Sequence, residues 1–416
     1  MSGWLAQLPP SWLVIQPRSH FRERRETSRP NDEHLTPSQH HGVLTQRDYM
    51  ARTGSRVVLN LSGADKMKHV EPGDFIAHLR SFQGGLETSQ IHGKVSTAYT
   101  VMRALDGAQS HYFRWVFKSR AFIGELASTT QQLRDGQTVR FEDICSLRLP
   151  LPPEPEQRRI ADFLDDRVAR IDNIIAARQR QAALASTMPW RKFDEAIKET
   201  DLPQAPFRRF IRFISDGPFG SAFSSADYTD NGAAVIRLGN IGFAKFHGED
   251  VARIPSHIYS QFPRCQVQPG ELLIASLGDE NNHAGRACIA PTGLGPAMVK
   301  GKCYRAITNS NIATAEFVQI CLSSGTGRAA LAKAGTGATR NMVNLDRLQS
   351  TRLPLPPLEQ QRDFAENFRE HERDTGRLTQ SLTRFIKLLT EYKQSLITAA
   401  VTGQLDVTTA STRIPE

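Results

Sequence analysis

Apolar side chains recur at alternating steps of three and four residues in two long segments of the chain. In the later segment this stripe runs through Phe364, Phe368, His371, Thr375, Leu378, Leu382, Phe385, Leu389, Tyr392, Leu396 and Ala399. Such a spacing places one apolar face along a helix and, when sustained over several heptads, is typical of a coiled coil. The stripe is strongest from Leu378 onward and weak at His371 and Thr375.

The earlier segment repeats this spacing. Its stripe consists of Leu164, Val168, Ile171 and Ile175 and, after a break at Arg178, Ala182. Pro189 lacks an amide hydrogen and its ring clashes with the preceding turn, so this helix is predicted to end no later than Met188. Two such helices in one chain favour an antiparallel coiled coil, roughly 45–60 Å long at about 1.5 Å per residue. Two independent helices on separate cores are the alternative.

Short apolar runs flanked by Gly, Pro, Asn or Asp predict strands in the rest of the chain. The predicted strands are residues 56–59, 74–77, 234–236, 272–274 and 287–289, and helical patterns cover residues 112–126 and 313–334. The predicted fold class is therefore α+β. It consists of two tandem α/β domains separated by two long helices that form an antiparallel coiled coil.

An internal repeat supports this division. The pentapeptide LPLPP at residues 149–153 recurs unchanged at 353–357, and a Gln-Arg step follows each copy. Three weaker matches keep the same order: residues 35–42 with 235–242, 72–77 with 269–275, and 139–144 with 343–348. The predicted boundaries are 1–148 and 201–352 for the domains, 149–200 and 353–408 for the helical segments, and 409–416 for a disordered tail. A pseudo-two-fold chain of this kind favours a partner that is itself two-fold, such as DNA.

Charge is distributed unevenly over the 416 residues, whose net charge is +9. Residues 1–148 and 201–352 each carry a net charge of +5, whereas residues 149–200 are neutral and residues 353–416 carry −1. A basic surplus attracts the phosphate backbone of nucleic acids. A merely soluble basic surface is the alternative, but the recurrence of the surplus in both domains favours DNA or RNA.

The five cysteines include no C-x-x-C pair, which favours a reducing compartment over disulfides or a zinc site. No apolar run approaches the roughly 20 residues that span a bilayer, and no secretory signal is evident. A cytoplasmic location is therefore expected.

The motifs of common catalytic centres are missing from the sequence. It contains no G-x-x-x-x-G-K-[ST], no G-x-G-x-x-G between a strand and a helix, no H-E-x-x-H and no Asn- or Asp-Pro-Pro-Tyr. Eight of the twelve histidines lie between His20 and His111, but their irregular spacing favours surface or base-contacting side chains over a metal site. No catalytic residue, metal or cofactor is therefore expected on this chain.

Four kinds of passage resemble the specificity (S) subunits of type I restriction-modification systems. They are LPLPP-x-x-E/Q-Q-R at 149–158 and 353–362, DGPFGS at 216–221, VIRLGNI at 235–241, and YKQSLITAAVTG at 392–403. The likeness extends from about Arg18 to Val407. It implies two target-recognition domains, each reading one half of a bipartite DNA sequence, and two helices that set the unread spacer.

The resemblance also implies partner subunits. Two modification (methyltransferase) subunits would carry S-adenosylmethionine, and restriction (motor and nuclease) subunits would carry ATP and Mg. The first helical segment departs from the family because residues 181–190 do not repeat residues 392–403, so equal helix lengths are not implied. The first domain also lacks a DGPFGS copy, as expected if the two halves read different sequences.

Candidate DNA contacts are polar side chains beside turn glycines or in loops. They are Gln39, His40, His41, Arg80, Gln83 and Lys94 in the first domain, and Ser221, Arg237, Asn240, Lys300, Arg340 and Asn341 in the second. The coiled-coil seam is assigned to Leu164, Val168, Ile171, Ile175, Leu378, Leu382, Phe385, Leu389, Tyr392 and Leu396. For any single candidate, a solvated surface residue is the alternative. An autonomous DNA-modifying enzyme and a coiled-coil scaffold are the rival interpretations of the whole chain.

Overall fold

The computed structural model describes residues 3–6, 8–55, 66–129, 139–218, 222–333 and 342–410. They belong to two units, which we call unit 1 (residues 1–179 and 383–416) and unit 2 (residues 180–382). Each unit therefore combines one α/β part with portions of both long helices. The predicted strand at residues 56–59 lies outside the described residues, as does most of the predicted tail.

The first half of the chain alternates short strands and helices before one long helix. Its elements are β1 (Leu13–Ile15), α1 (Pro17–His20), β2 (Phe21–Glu23), β3 (Leu35–Ser38), β4 (Gly42–Thr45), α2 (Gln46–Thr53), β5 (Lys68–Val70), β6 (Phe75–Ala77), α3 (Ser81–Gly84), β7 (Glu87–Thr88), β8 (Gly93–Val95), β9 (Thr100–Ala104), α4 (Gly107–Val116), α5 (Arg120–Thr129), α6 (Phe141–Ser146), β10 (Leu149–Leu151) and α7 (Glu154–Glu199).

The second half repeats this plan. Its elements are β11 (Gln204–Pro206), β12 (Ile211–Asp216), β13 (Ala233–Ile236), β14 (Ala252–Ile254), α8 (Ser256–Tyr259), β15 (Gln266–Val267), β16 (Leu272–Ala275), β17 (Ala287–Ile289), β18 (Ala297–Val299), β19 (Cys303–Thr308), α9 (Ala315–Ser323), α10 (Gly325–Lys333), α11 (Leu345–Ser350), β20 (Arg352–Pro354) and α12 (Leu358–Val401).

Sheet topology confirms the α+β fold and the internal repeat. Unit 1 has an antiparallel sheet in the order β2-β9-β6-β7, and unit 2 has the equivalent sheet β12-β19-β16-β17. Unit 2 also contains the sheet β14-β13-β18-β15, in which β13 and β18 run parallel. In unit 1 the pairs β4-β3 and β8-β5 are linked by a parallel bridge between His34 and Lys94, which gives the same strand order.

The match between residues 72–77 and 269–275 forms the same turn in both units. Gly73 and Gly270 adopt φ values of +88° and +87°, a region that only glycine enters without strain. The acid after each glycine accepts a hydrogen bond from the backbone N–H three residues earlier, Asp74 at 2.8 Å and Glu271 at 3.1 Å. Each acid also pairs in the buried interior with an arginine that donates through two nitrogens. The repeat therefore preserves a folded structure as well as a sequence pattern.

Each LPLPP passage opens with a short strand. β10 pairs antiparallel with β1, and β20 pairs antiparallel with β11, so each passage joins the end of its α/β part to the beginning. The buried Gln157 donates from Nε2 to the carbonyl of Pro152 at 2.8 Å, and Gln361 does the same to Pro356 at 2.8 Å. This bond explains why a glutamine follows both copies.

The long helices α7 and α12 pack against each other in an antiparallel direction inside each unit. In unit 1, Lys393 Nζ lies 2.6 Å from Asp172 Oδ1, and the Arg178 guanidinium lies 5.5 Å from the Phe385 ring centre. In unit 2 the ring centres of Trp190 and Phe368 are 4.6 Å apart. Residue numbers thus rise along α7 as they fall along α12, which confirms the predicted pairing.

The seam is buried over most of its predicted length. Leu164, Val168, Ile171, Leu382, Leu389 and Leu396 are buried, while Ile175, Phe385 and Tyr392 are partly buried. The prediction that Leu378 is buried in the seam is wrong, because 41 % of this residue remains exposed. The alanine-rich stretch of α7 around Ala182 offers little side-chain volume to cover a leucine on the partner helix.

The predicted end of the first helix at Met188 is wrong, since α7 continues through Pro189 to Glu199. Ala185, Pro189, Phe193 and Ile197 recur every four residues and are all buried. A proline inside a helix costs about 3 kcal/mol. Burying a phenylalanine or isoleucine side chain contributes about 1.5–3 kcal/mol each, which offsets that penalty.

The other local predictions were confirmed with one systematic difference. The described strands β6, β13, β16 and β17 match the predicted ones to within one residue at each end. The helices predicted at 112–126 and 313–334 are each broken in two, by Ser119 and Ser324. Each serine hydroxyl accepts from the N–H three residues later, at 3.2 Å for Phe122 and 3.3 Å for Gly327, and so caps a new helix. Among the described residues, no helix combines the length and hydrophobicity that crossing a membrane requires.

Candidate nucleic-acid interface

A polar pocket of about 620 Å³ opens in unit 2. It is lined by Arg237, Leu238, Gly239, Asn240, His247, Glu249, Asp250, Lys300 and Gly301. Three of the predicted DNA contacts, Arg237, Asn240 and Lys300, thus share one site. Ser221, Arg340 and Asn341 lie outside the described residues.

Arg237 and Lys300 meet because each directly follows one of two adjacent parallel strands. β13 ends at Ile236 and β18 ends at Val299, and the Lys300 N–H donates to the Ile236 carbonyl at 3.0 Å. The carboxyl ends of parallel strands lie at the same sheet edge, where ligands commonly bind in open α/β sheets. Both cations therefore emerge at one edge.

The Arg237 side chain is held by an acidic partner and an aromatic ring. Its Nη2 donates to the Asp250 carboxylate (Oδ2) at 2.9 Å and to the Asp250 carbonyl at 3.0 Å. The guanidinium carbon also lies 6.0 Å from the ring centre of Tyr228. Asp250 is 91 % exposed in its side chain and Arg237 is 35 % exposed, so the pair faces solvent.

Lys300 contacts the same tyrosine ring and a second aromatic ring. Its Nζ donates to the Tyr228 hydroxyl at 2.8 Å and sits 4.9 and 5.0 Å from the ring centres of Phe223 and Tyr228. Cation–π contacts of this kind attract the ammonium group to the rings and limit the lysine's rotamers. The pocket therefore presents two fixed positive charges beside two exposed carboxylates, those of Glu249 and Asp250.

Gly217 and Pro218, in the described part of the DGPFGS passage, pack against the chain segment that carries Lys300. A Cβ on Gly217 would lie only 2.3 Å from the carbonyl carbon of Lys300, so no larger residue fits without displacing the backbone. The Gly301 N–H also donates to the Pro218 carbonyl at 3.0 Å. Gly217 thus allows the two chain segments to approach each other closely.

The burial of Asn240 contradicts the prediction that its side chain contacts a base. It is 3 % exposed, and its Oδ1 accepts from the Arg237 N–H at 2.8 Å. Its Nδ2 donates to the carbonyls of His247 at 2.9 Å and Asp250 at 3.0 Å. Both amide atoms are therefore engaged, and the side chain fixes the turn that carries Arg237 to the loop that carries Asp250.

Arg286 is a positioning residue that the sequence did not single out. It is 4 % exposed and donates to the backbone carbonyls of Ile241 (2.7 Å), Leu238 (3.0 Å), Leu277 (3.1 Å) and His283 (3.2 Å). These bonds tie the pocket turn to the neighbouring loop. Burial lowers the pKa of Arg286. Arg286 follows a turn and directly precedes β17, and nothing in its local sequence distinguishes it from a surface arginine.

In unit 1 five of the six predicted contacts gather at one end of the β3–β4 hairpin. Gln39, His40 and His41 form its tip, and the Gln39 side chain packs on Gly84, where an added Cβ would meet its Cγ at 2.4 Å. Gln83 lies within the same α3 turn, and Arg80 precedes it. All five are exposed except the partly buried His41, which contacts Tyr49 edge to face.

Lys94 lies at the other end of this hairpin. It forms a β-bridge with His34, which lies just before β3 begins. His34 is five residues from Gln39 at the tip, or roughly 17 Å at about 3.3 Å per residue. Burial and, secondly, the charge of Lys94 lower the pKa of His34. Lys94 therefore does not join the cluster of five.

A buried histidine in unit 1 links the two chain segments beneath the hairpin. His69 is 1 % exposed, and its Nδ1 and Nε2 lie 2.7 Å from Asp32 and 2.8 Å from Glu71. Burial acts to lower its pKa, but hydrogen bonds to Glu71 and Asp32 outweigh it, so the pKa of His69 is raised. The irregular histidine spacing in the sequence gave no hint of this ion-paired role.

One group among the described residues could offer three donors to a metal. His111 Nε2 lies 3.2 Å from Asp162 Oδ1 and 3.3 Å from Asp165 Oδ2. The Asp165 carboxylate already pairs with Arg114 and accepts from Trp115 Nε1 at 3.0 Å. The guanidinium charge disfavours a second cation there, so an ion-pair cluster is the better description.

Comparison with known proteins gives one consistent result. No protein-family model matches the chain. It is 24 % identical over 242 residues to the type I restriction enzyme MjaVIII specificity subunit of Methanocaldococcus jannaschii, a match that covers 55 % of each chain. It is 22 % identical over 281 residues to the type I restriction enzyme EcoBI specificity subunit of Escherichia coli, covering 62 % of this chain and 58 % of that one. The chain therefore spans little more than half the length of these curated relatives.

Two solved structures share the fold at 16 % identity. A chain from a structure on the complex assembly and conformational transition of the type I R-M system matches with a TM-score of 0.68, over 96 % of this chain and 100 % of that one. The HsdS subunit from Thermoanaerobacter tengcongensis matches with a TM-score of 0.50, over 97 % and 100 %. In sequence and in fold, the chain is similar to the specificity subunits of type I restriction enzymes, which confirms the resemblance carried by its motifs.

Proposed function

We propose that this chain is the DNA-recognition subunit of a type I restriction-modification complex and carries no catalytic centre of its own. One observation carries the proposal: the two units share strand order, the Pro-Gly-acid turn and the LPLPP strand, yet they differ in the loops that bear the candidate contacts. A common framework with different loops suits two readers of different DNA sequences.

Each unit would read one half of a bipartite target. The net charge of +5 on residues 1–148 and again on 201–352 would supply phosphate attraction, which fixes register without specifying sequence. Arg237 and Lys300 in unit 2, and the hairpin-tip cluster with Lys94 in unit 1, are the proposed contacts. The paired helices α7 and α12 would set the unread spacer.

The exposed faces of the same helices would bind two methyltransferase subunits, and restriction subunits would complete the complex. S-adenosylmethionine, ATP and Mg would belong to those partners. This assignment also gives a reason why neither helical segment carries a positive surplus, because they would contact protein and not phosphate. The chain would act in the cytoplasm, where its DNA target and partners are found.

The decisive experiment is the methylation pattern of DNA from cells that produce this chain with its methyltransferase subunits. Single-molecule sequencing should reveal a split motif with a fixed unread gap, and the motif should disappear when this chain is omitted. A continuous motif, or methylation that persists without the chain, would return the autonomous enzyme as the better interpretation. DNA binding by the complex that is absent or insensitive to salt would favour the scaffold.

A further inference from the structure

The exposed ion pair in the unit 2 pocket combines one donor group and one acceptor group at a fixed spacing. Arg237 Nη2 and Asp250 Oδ2 are 2.9 Å apart, and the Asp250 side chain is 91 % exposed. Nη2 directs its two N–H groups at the Asp250 carboxylate and carbonyl, so Nε and Nη1 keep the other three of the five guanidinium N–H groups. The pair can therefore offer donors and an acceptor to the same ligand.

A G·C base pair presents the complementary pattern in the major groove. Guanine offers N7 and O6 as acceptors, and cytosine offers its N4 amino group as a donor. O6 and N4 are joined by the base pair's own hydrogen bond, so they are separated by roughly 2.9 Å, the usual length of such a bond. The Arg237–Asp250 ion pair likewise places guanidinium donors directly beside a carboxylate acceptor.

Building on the proposed function, we propose that Arg237 and Asp250 together read one G·C base pair in the half-site bound by unit 2. Arg237 donates to guanine O6 and N7, and Asp250 accepts from cytosine N4. Lys300 remains outside this contact, because its ammonium group is held by Tyr228 and Phe223, and serves a nearby phosphate.

The other base pairs fit less well. With T·A the guanidinium would meet a single acceptor, thymine O4, flanked by the C5-methyl group, and would lose its second acceptor. With A·T it would meet adenine N7 but would face the N6 amino donor in place of guanine O6. With C·G the donor and acceptor exchange places, so like groups would face each other. A bidentate contact of this kind discriminates between base pairs by roughly 5- to 150-fold.

The surroundings hold both groups in position before DNA arrives. Asn240 donates to the Asp250 carbonyl at 3.0 Å while it accepts from the Arg237 N–H at 2.8 Å, which locks the two backbones together. Arg286 fixes the turn between them through the carbonyls of Leu238 and Ile241. Such preorganisation raises specificity because little conformational freedom is lost on binding. A plain surface ion pair would need none of these supports.

The test uses the full complex, with this chain and its methyltransferase subunits produced in cells that lack other adenine methylation. Methylated sites are mapped by single-molecule sequencing for the wild type, Arg237→Gln, Asp250→Asn and the control Arg253→Gln. Arg253 is a partly buried arginine of the same sheet that donates to the Gly232 carbonyl at 2.9 Å and does not line the pocket. The unaffected half-site serves as an internal control in every sample.

The expected wild-type half-site contains one invariant G·C pair. Both pocket variants should relax that single position, with the 5- to 150-fold preference reduced to near equality, while the other half-site and the gap stay unchanged. Arg253→Gln should methylate the wild-type motif. If a pocket variant methylates nothing, its binding to four DNA duplexes that differ only at this position replaces the readout, after its melting temperature has been matched to the control.

Several results would overturn the proposal. They are an unchanged motif in both pocket variants, a half-site with no invariant G·C pair, and an equal loss of binding to all four duplexes. A wild-type complex that yields no split motif dependent on this chain would instead refute the proposed function. The two failures are therefore distinguishable in one set of samples.

Discussion

Replacing Phe193 with alanine tests whether α7 truly continues past Pro189. Phe193 is 4 % exposed, and its ring centre lies 6.0 Å from that of Phe317 and 6.2 Å from those of Phe364 and Phe368. Truncating a core phenylalanine to alanine usually costs about 3–5 kcal/mol, from lost transfer energy and the cavity left behind. We expect a loss of that size in the free energy of unfolding of unit 2.

Thermal unfolding of the full chain, followed by calorimetry, measures the effect. For a unit of this size each kcal/mol shifts the melting temperature by about 2–4 °C, so the transition of unit 2 should fall by roughly 6–20 °C. Lys192→Ala is the matched control, because the side chain of Lys192 is 57 % exposed on the same helix. It should change stability by less than about 0.5 kcal/mol.

A companion substitution has the opposite sign. Pro189→Ala restores an amide donor inside α7 and removes a steric clash, so stability should rise, by at most about 3 kcal/mol. A loss below about 1 kcal/mol for Phe193→Ala, together with no gain for Pro189→Ala, would refute a continuous helix. Such a result would favour the sequence-based prediction that the first long helix ends at Met188.

Three further predictions concern single charged groups. Glu271→Gln leaves the buried Arg305 without its carboxylate partner and should cost about 3–5 kcal/mol in chemical denaturation, whereas Glu316→Gln, which breaks an exposed pair, should cost less than about 1 kcal/mol. Lys300→Gln should weaken binding of matched and unmatched DNA alike in fluorescence titrations and reduce the slope of log K against log salt by about 0.9; an unchanged slope would exclude a phosphate contact. Because the pKa of His69 is raised above 6.5, its contribution to stability is fully present below pH 6.5 and is lost as the pH rises through the folded pKa. Its carboxylate partners have pKa values lowered from 3.8 and 4.5, so their contribution is lost in acid, and the stability difference between wild type and His69→Gln should be largest between pH 4.5 and 6.5.

Much of the fold could be predicted because its signals are local. The strands at 234–236 and 272–274 are apolar runs between turn residues, and the α12 stripe is a simple periodicity. The features that could not be predicted depend on contacts between segments that are distant in sequence. Phe193 compensates for Pro189 only because Phe317 and Phe368 lie beside it, and neither is near in sequence.

The site could be predicted in part for the same reason. Arg237 and Lys300 follow strand ends, so their emergence at one sheet edge was accessible from the sequence. Asp250 comes from a separate loop, and only the fold brings it within 2.9 Å of Arg237. The structural role of Asn240 was missed because an asparagine beside a glycine has the same local signature whether it binds a base or fixes a turn.

The internal repeat distinguishes residues that maintain the fold from residues that bind a ligand. Features present in both units all act within the fold: the turn at Gly73 and Gly270, the serine caps, and the glutamines that bond to the LPLPP passages. Among the residues that the structure describes, the Arg237–Asp250 pair has no such counterpart, since Pro37 stands at the position of Arg237 when residues 35–42 are aligned with 235–242. Because both units have the same strand order, a residue needed for folding alone should occur in both. A preorganised charged pair that the described part of the chain shows in unit 2 and not in unit 1 is explained by a ligand that differs between the halves, as two unlike DNA half-sites do.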